Sequence, residues 1–295
     1  MPNGTDIPTP HFPLSSMPQV HYLIFDIESV ADPELVAKVH YAGKEIEPQA
    51  AVRQYRDELM AANGTDFIPF TFQVPISVAI AKVAGDFQLI DLVVLDEPHF
   101  RPHEICKLFW RGWEYYKQPT LVSYNGRGFD IPLMELTAFR YGVSIPAWFS
   151  LDQKTFEQPR NRYNTKSHFD LNDILTNFGA VRFHGGLNLA ANLLGKPGKM
   201  DVQGNMVQDL FEAGEVAKIN DYCRCDVLDT YFVFLRTMVL LGNLSLQREQ
   251  ELVRQAKEWL QQRAEIPAFA MYLEHWGDWI NPWEKEKVQS DGVDV

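Results

Sequence analysis

The feature that most restricts the fold is an apolar segment near the N-terminus that ends in two acids. This segment, His21-Tyr-Leu-Ile-Phe-Asp-Ile-Glu28, has the length and composition of a buried strand. Side chains two positions apart on a strand share a face, so Asp26 and Glu28 stand side by side. Their mutual repulsion is costly away from water unless a cation neutralises it. The strand end must therefore be either solvated or a site for Mg²⁺ or Mn²⁺, which prefer oxygen ligands.

A second acidic pattern follows a later predicted strand, Thr120–Tyr124. The sequence Asn125-Gly-Arg-Gly-Phe-Asp130 forms a glycine-containing turn and leads into a helix with an early proline, where proline is tolerated. An acid at the beginning of a helix is ordinarily a cap that accepts backbone hydrogen bonds. The pairing of Asn125 with Phe129 and Asp130 at this spacing is less ordinary, and it marks the turn as a candidate site.

The third pattern lies within Val216–Leu240, a strongly helical stretch. Residues four apart lie on one helix face, so the Tyr222 hydroxyl and the Asp226 carboxylate can address one point. Taken alone, this pair is better explained by an ordinary helix tyrosine and an ordinary exposed aspartate. In chain order, the sequence thus offers two acids on a first strand, one acid after a later strand, and a tyrosine–aspartate pair on a late helix.

The rest of the chain alternates between strand and helix patterns, which predicts an α/β fold with a mixed sheet. Residues 76–84 and 88–95 read as a hairpin, whereas Phe67–Pro75 before them reads as an extended aromatic connector. The predicted helices cover residues 104–117, 133–141, 216–240 and 246–265, with a helix-prone stretch at 31–62. The predicted division is an N-terminal tail at 1–19, a main domain at 20–244, a helical C-terminal extension at 245–282 and a charged tail at 283–295.

Composition excludes several classes of protein. With 46% hydrophobic and 22% charged residues in 295, the chain is too apolar to be mainly disordered and long enough for a sizeable core. We expect no membrane association, because no run approaches the roughly 20 apolar residues of a membrane span, and the polar N-terminus does not resemble a secretory signal. Three cysteines cannot form a disulfide framework, which predicts a reducing, cytoplasmic location.

Net charge speaks against a nucleic-acid partner only at first sight. The total is −12, yet residues 154–199 hold seven Lys and Arg against three Asp and Glu. Within this stretch Arg160 and Arg162 alternate with polar and aromatic residues, which suits a loop that tracks a nucleic-acid strand; a solvated loop is the alternative. Gly195-Lys-Pro-Gly-Lys199 lacks the spacing and the preceding strand of a phosphate-binding loop.

Together, the three acidic patterns resemble the three motifs of the DEDD superfamily of 3′→5′ exonucleases. The chain is most similar to the proofreading domain of family-B DNA polymerases, and specifically to stand-alone bacterial proteins described as predicted 3′→5′ exonucleases. The resemblance spans about residues 20–240. It implies a ribonuclease-H-like fold, in which a mixed five-stranded sheet is flanked by helices and gathers the acids at one end. Tyr222, with Asp221 where the other subclass has histidine, implies the DEDDy subclass.

The resemblance assigns catalytic roles to Asp26, Glu28, Asp130, Tyr222 and Asp226. The four acids would bind two divalent cations, Mg²⁺ or Mn²⁺, as in two-metal phosphodiester hydrolysis. Asp26, Glu28 and Asp226 would hold the ion that activates water. Asp26 would bridge to the second ion, and Asp130 would reach that ion through water. Tyr222 would orient the water, because an ordinary tyrosine pKa near 10 makes it a poor base at neutral pH.

The resemblance also implies contacts between the 3′ end of a single strand and Ile27, Asn125 and Phe129, to which Arg160 and Arg162 would add electrostatic contacts. The implied reaction releases nucleoside 5′-monophosphates from single-stranded DNA. An exoribonuclease is one alternative, because the motifs do not distinguish ribose from deoxyribose. A nucleic-acid-binding polymerase-accessory module with little activity is another. A two-carboxylate glycosidase would leave the third pattern unexplained. Since 295 residues leave no room for a polymerase domain, we expect any polymerase or DNA-repair partner to act in trans.

Overall fold

The computed structural model describes residues 19–200 and 206–284, so most of both predicted tails lies outside the described residues. Its centre is a five-stranded sheet with the order β3-β2-β1-β4-β5. The strands are β1 (Val20–Ala31), β2 (Gln73–Ala84), β3 (Leu89–Val94), β4 (Thr120–Ser123) and β5 (His168–Asp170). The first three are antiparallel neighbours, whereas β4 runs parallel to β1 and β5 parallel to β4. The predicted mixed five-stranded sheet is confirmed.

Helices cover both faces of this sheet. In chain order they are α1 (Pro33–Leu35), α2 (Pro48–Asn63), α3 (Pro102–Tyr115), α4 (Asp130–Tyr141), α5 (Pro146–Phe149), α6 (Leu171–Leu175), α7 (Gly186–Asn192), α8 (Val207–Glu212), α9 (Val216–Leu240), α10 (Leu246–Gln261) and α11 (Pro267–Glu274). One core layer lies between the sheet and α3 with α4, and another between the sheet and α9 with α10 and α11. The predicted helical C-terminal region is confirmed, and α9 has the predicted bounds.

The central strand β1 is apolar on both faces because it separates the two core layers. Phe25 and Ile27 pack in the layer that contains α3 and α4, whereas Ile24 packs in the layer that contains α9. Successive side chains of a strand point to opposite faces. The side chains of Asp26 and Glu28 therefore point away from that of Ile27, toward the face covered by α9.

An insertion at residues 32–72 connects β1 to β2 and packs around a small core of its own. It contains α1, a π-helical turn at Val36–His40, and α2. Its last part differs from the predicted extended connector, because Phe70–Phe72 forms a 3₁₀ turn and β2 begins at Gln73. The insertion is tied to the rest of the chain by Arg56, which pairs with Asp209 of α8 at 2.7 Å.

The fifth strand, β5, has no counterpart in the sequence pattern. It has three residues, which is too short for an alternation of apolar and polar side chains to show. Its last residue, Asp170, also caps α6 by accepting a hydrogen bond from the backbone N–H of Asn172 at 3.0 Å. In the sequence, a three-residue strand whose last residue caps the next helix cannot be distinguished from a loop followed by a helix.

The C-terminal helices are attached to α9 by polar contacts as well as by apolar packing. The Arg236 guanidinium donates to the Glu249 carboxylate at 2.8 and 3.0 Å, and the Tyr272 hydroxyl donates to Asp229 at 2.6 Å. Ser245 caps α10, which ends at Gln261 and so is four residues shorter than predicted. Within residues 19–200 and 206–284, no helix has the combination of length and apolar character that a bilayer-spanning helix needs.

We expect Tyr272→Phe to destabilise the fold by about 1–3 kcal/mol, because it removes a donor from a fully buried carboxylate. Burial raises the pKa of Asp229 to about 7. A folded-state pKa above the ordinary value means that this group lowers stability as the pH rises through 7, and the tyrosine donor offsets that loss. The effect of the substitution should therefore be larger at about pH 8.5 than at about pH 5.5 in urea unfolding. Tyr115→Phe, at a tyrosine that is 72% exposed, is the control; equal effects of the two substitutions would contradict this assignment.

Candidate active site

Three carboxylates converge where β1 meets α9. Asp26 and Glu28 project from the same face of the strand, and Asp226 faces them from the helix. Oxygen atoms of the three side chains all lie within 4.8 Å of one another. At Asp26 and Glu28 the strand is paired with β2, and the helix packs directly on the sheet, so regular elements hold all three acids. Regular elements position a site more firmly than loops do.

Asp130 approaches this group from α4. It is the first residue of the helix, and Phe129 takes the N-cap position without a side-chain hydrogen bond. Asp130 thus lies one position inside the helix and is not its cap. The residue is 5% exposed, and its charge raises the pKa of both Asp26 and Glu28. The structure therefore brings the four predicted acids to one place, three of them in mutual contact range and Asp130 beside them.

Burial and mutual repulsion make this group of acids unfavourable without a counter-charge. Burial, and then the charges of neighbouring acids, raises the pKa of Asp26 and of Glu28 well above the usual range. Burial likewise raises the pKa of Asp130 to about 8 and that of Asp226 to about 6. Carboxylate oxygens are the ligands that Mg²⁺ and Mn²⁺ prefer, and a bound cation favours the ionised acids. The carboxyl groups of this site fit a divalent cation, and the oxygens of Asp26, Glu28 and Asp226 are close enough together to bind the same ion.

Tyr222 lies one helical turn before Asp226 and is 7% exposed. Its hydroxyl interacts with the Asp226 carboxyl and lowers the pKa of that group. Burial, followed by the nearby carboxylates, raises the pKa of Tyr222 itself well above 10. The phenol therefore keeps its proton at neutral pH and can act as a hydrogen-bond donor in the site.

The turn between β4 and α4 explains the spacing of the second acidic pattern. The Asp170 carboxylate accepts hydrogen bonds from the backbone N–H groups of Asn125 at 2.8 Å and Arg127 at 2.9 Å. Asn125 has a positive φ of 63°, which asparagine tolerates better than most residues. Between them, Gly126 has no room for a side chain, because a Cβ there would collide with Ser123 and press on the Asp130 carboxylate.

Asp26 and Asp226 open into a cleft of about 690 Å³ that Asn125 and Tyr222 also line. The opposite wall is formed mainly by residues 176–188, and Lys199 completes the lining. The charge of Lys199 lowers the pKa of Glu28 and of Asp226, so its ammonium group lies near the acids. The sequence does not single out this cation, because Lys199 is one of seven basic residues within 154–199 and its segment lacks the spacing of a phosphate-binding loop.

The segment of Lys199 is held against α7 by asparagine side chains. The backbone N–H of Lys199 donates to Asn188 at 2.8 Å. Gly198 before it has a positive φ of 63°, and a Cβ there would collide with Asn188 and Asn192. The only pattern in the sequence is a Gly-Lys pair eleven residues after Asn188. Its role can be recognised only from the fold, which brings this segment close to the acids.

The remaining residues predicted to bind substrate lie in different surroundings. Ile27 is 5% exposed and packs in the core on the face opposite the acids, which leaves only its backbone near the site. The alternation of side chains on a strand directs the Ile27 side chain into the core, so a contact of Ile27 with substrate would come from its backbone. Phe129 is half-buried, and its ring lies 5.6 Å from that of Phe67 and 6.4 Å from that of Phe70.

Arg160 and Arg162 are not among the residues that line the cleft. The Arg160 guanidinium donates to both oxygens of Glu135, at 2.8 and 2.9 Å. Arg162 pairs with Asp173 at 3.5 Å, and Asp173 also pairs with Arg127 of the turn at 2.9 Å. The positive charge of both predicted strand contacts is therefore partly neutralised within the protein.

Residues 65–283 match the model of a family described as predicted 3′-5′ exonucleases related to the exonuclease domain of PolB. The chain belongs to this family. The resemblance predicted from the acidic patterns is thus confirmed. The match includes the second and third acidic patterns of this exonuclease-family chain but begins after β1, which carries Asp26 and Glu28. These two acids are assigned to the site because their carboxylates lie within 4.8 Å of that of Asp226. Comparison with curated proteins gives no match.

Several solved structures are similar to this exonuclease-family chain at low sequence identity. The family B DNA polymerase of the archaeon Pyrobaculum calidifontis is 16% identical, with a TM-score of 0.47 over 84% of this chain and 29% of that one. Exonuclease I of E. coli in complex with a dA16 oligonucleotide is 13% identical, with a TM-score of 0.33 over 79% and 43%. The zinc-bound complex of E. coli ExoI with ssDNA is 14% identical, with a TM-score of 0.34 over 83% and 43%. The chain spans less than half of the length of these proteins.

We expect Asp26→Asn to stabilise the metal-free protein, because it relieves repulsion among buried carboxylates. In EDTA the gain should be about 1 kcal/mol, which corresponds to a rise in Tm of about 2–4 °C. In the unsubstituted protein, Mg²⁺ or Mn²⁺ at about 100 times its Kd should stabilise the fold by about 2.7 kcal/mol, and Asp26→Asn should lose most of this response.

The control for this thermal unfolding experiment is Asp152→Asn, at an exposed aspartate in the loop before β5. It should leave both the Tm in EDTA and the response to metal unchanged. A lower Tm for Asp26→Asn in EDTA would contradict the view that the acids are in conflict when no cation is bound.

Proposed function

We propose that this protein is a 3′→5′ exonuclease that hydrolyses phosphodiester bonds at the 3′ end of single-stranded DNA and releases nucleoside 5′-monophosphates. The observation that carries the proposal is the meeting of three carboxylates within 4.8 Å, two of which, Asp26 and Asp226, line an open cleft. Family membership supports nuclease chemistry. The preference for DNA, and the contacts with a polymerase or repair partner in trans, stay predictions.

The proposed catalytic residues are Asp26, Glu28, Asp130, Tyr222 and Asp226. We place one divalent cation, Mg²⁺ or Mn²⁺, between Asp26, Glu28 and Asp226, whose oxygens already lie together. Asp26 and Asp130 would share a second cation. Bound in such a site, the ions lower the pKa of water and stabilise the negative charge of the departing oxygen.

The other side chains would bind and orient. The Tyr222 phenol can donate a hydrogen bond to a water molecule in the cleft, which holds that water in line with the scissile phosphate. Lys199 lines the cleft, and its ammonium group is suited to contact the phosphate. Asn125 is exposed at the cleft and can donate to a phosphate or a base.

The test of this function is a time course with 5′-labelled single-stranded DNA and RNA of the same sequence, in Mg²⁺, Mn²⁺ or EDTA. We expect a ladder that shortens from the 3′ end in the presence of metal, with DNA degraded faster than RNA. Asp226→Asn should lower kcat by at least about 100-fold, because it removes a metal ligand, whereas the exposed Asp152→Asn should not change it. Binding of both oligonucleotides without any degradation would contradict the enzymatic function and favour an accessory binding module. Faster degradation of RNA than of DNA would favour an exoribonuclease.

We further expect Lys199→Ala to lower kcat/KM by about 100-fold, because it removes a cation from a site where negative charge develops. Lys199→Arg should recover part of the loss. Arg160→Ala combined with Arg162→Ala should weaken binding and flatten its salt dependence, but by less than Lys199→Ala does, since both arginines must first exchange a carboxylate partner for phosphate. Lys38→Ala, at an exposed lysine of the insertion, is the control for charge. An effect of Lys199→Ala no larger than that of Lys38→Ala would refute the proposed contact.

A further inference from the structure

The loop of residues 195–199 has a second attachment besides its contacts with α7. Lys196 of this loop is 3% exposed. Its ammonium group donates to the Gly277 carbonyl at 2.9 Å and lies 3.9 Å from the centre of the Trp276 ring. Gly277 and Trp276 belong to residues 276–278, which follow α11. We call residues 195–199 the lysine loop and residues 276–278 the clamp segment.

The lysine loop and the clamp segment also meet backbone to backbone. A Cβ on Gly277 would lie 2.7 Å from the carbonyl oxygen of Gly195, and a Cβ on Gly195 would lie 2.9 Å from the backbone of Asp278. Both distances are too short for a side chain at either position. Glycine at 195 and 277 therefore permits the close approach across which Lys196 forms its hydrogen bond.

A buried carboxyl group adds a contact closer to Lys199. The Asp229 carboxyl accepts a hydrogen bond from the Tyr272 hydroxyl of α11 at 2.6 Å. The backbone N–H of Gly198, which directly precedes Lys199, lies beside the same carboxyl and lowers its pKa, against the larger effect of burial. Asp229 thus connects the lysine loop with both α9 and α11.

The clamp segment is anchored independently of the lysine loop. The centre of the Trp276 ring lies 5.2 Å from that of Phe232 on α9 and 6.0 Å from that of Tyr272 on α11. The Trp276 indole N–H donates to Asp278 at 2.8 Å, and Asp278 lies 3.7 Å from the ammonium group of Lys257 on α10. Regular helices therefore fix the clamp segment, and the irregular lysine loop is the part that it holds.

A lysine is an unfavourable residue for this position if it serves only to fill space. Burial lowers the pKa of Lys196 to about 8, because the surroundings disfavour its charge. A methionine of similar length would fill the space without burying a charge. The ammonium group adds a hydrogen bond to a carbonyl of another segment and an attraction to an aromatic face, which a methionine lacks. These contacts connect two segments and do not merely cover the core.

We propose that Lys196 is a positioning residue that fixes the lysine loop to the clamp segment and thereby holds the Lys199 ammonium group at the acids. The proposal rests on the proposed exonuclease function, in which Lys199 contacts the phosphate. Regular elements hold Glu28 and Asp226, whereas the cation that lowers the pKa of both comes from a loop, which needs fixing from outside. The C-terminal helices then support catalysis, although the residues that line the cleft come from other parts of the described chain.

The kinetic test is a double-mutant cycle in the full chain, with 5′-labelled single-stranded DNA and Mg²⁺. Lys196→Met should lower kcat/KM about tenfold, because a displaced Lys199 loses most of its contact with the phosphate. In a chain that already carries Lys199→Ala, the same substitution should change kcat/KM by less than about twofold, since the contact that it disturbs is gone. Equal losses in both backgrounds, or no loss in either, would overturn the positioning role.

The matched control is Lys257→Met, which removes an ammonium group from the other side of the clamp segment. Lys257 lies 5.0 Å from the centre of the Trp276 ring and 3.7 Å from Asp278, but it belongs to α10 and not to the lysine loop. Such a partly exposed pair contributes little to stability, so kcat/KM should stay within about twofold. A loss as large as that of Lys196→Met would assign the effect to the packing of the clamp segment and would contradict the proposal.

A second substitution tests the same contact from the clamp segment. Gly277→Ala adds a methyl group that collides with the Gly195 carbonyl and separates the two segments. It should lower kcat/KM in the same way as Lys196→Met, and likewise only in the presence of Lys199. Gly112→Ala, at a helix glycine whose Cβ would meet no atom within 4 Å, is its control. An unchanged kcat/KM in Gly277→Ala would contradict the proposed attachment.

Amide hydrogen exchange tests the attachment without catalysis, in the full chain without metal or nucleic acid. The backbone N–H of Lys199 donates to Asn188 at 2.8 Å, and Lys196→Met should speed its exchange by about tenfold, whereas Lys257→Met should not. Unchanged exchange in Lys196→Met would overturn the attachment even if the chain is an active exonuclease. If exchange responds as expected but the unsubstituted chain degrades neither DNA nor RNA, the attachment stands, while the proposed function and the role of Lys196 in catalysis both fail.

Discussion

Repulsion among the carboxylates at the centre of the sheet is the constraint on which the rest of the structure depends. Asp26, Glu28 and Asp226 are held within 4.8 Å of one another in a largely buried site. Free to move, such groups would separate or take up solvent. They stay together because β1 is paired with β2 along Asp26 to Glu28 and because the 25-residue helix α9 packs on the sheet. The two core layers thus hold an arrangement that is unfavourable by itself.

Around the acids, a layer of polar contacts fixes the backbone that carries them. Asp170 does this for the turn before α4, where it accepts two backbone N–H groups and also caps α6. Gln73 does the same for the segment after α2, through Ser29 and Ile68. In both places the side chain lies on a strand and holds a neighbouring loop. The sheet therefore positions loops around the acids as well as the acids themselves.

The sequence was informative wherever chemistry and local geometry coincide. The spacing of Asp26 and Glu28 on a strand, and that of Tyr222 and Asp226 on a helix, follows from the repeat of each element, and the structure brings both pairs to one place. Residues whose role depends on distant partners could not be recognised in this way. Lys199 is near the acids only because α7 holds its segment, and β5 is a strand only because β4 lies beside it.

Charge was the least reliable guide in the sequence, because a count of basic residues does not show their partners. Arg160 and Arg162 stand in a stretch of positive net charge, yet both pair with acids from other segments, Glu135 and Asp173. Ile27 illustrates the opposite case. The alternation of side chains on a strand already directs it away from the acids, and its packing in the core follows from that rule alone.

The long helix α9 contributes residues both to the candidate active site and to the contact with the C-terminal helices. Its first half carries Tyr222 and Asp226, and its second half carries Asp229 and Arg236, which bind the C-terminal helices. A single inserted or deleted residue between these halves would turn one of them by about 100° relative to the other, since a helix has 3.6 residues per turn. Among descendants of this sequence, variation in length should therefore be found in loops such as residues 150–167, while α9 changes its residues but keeps their number.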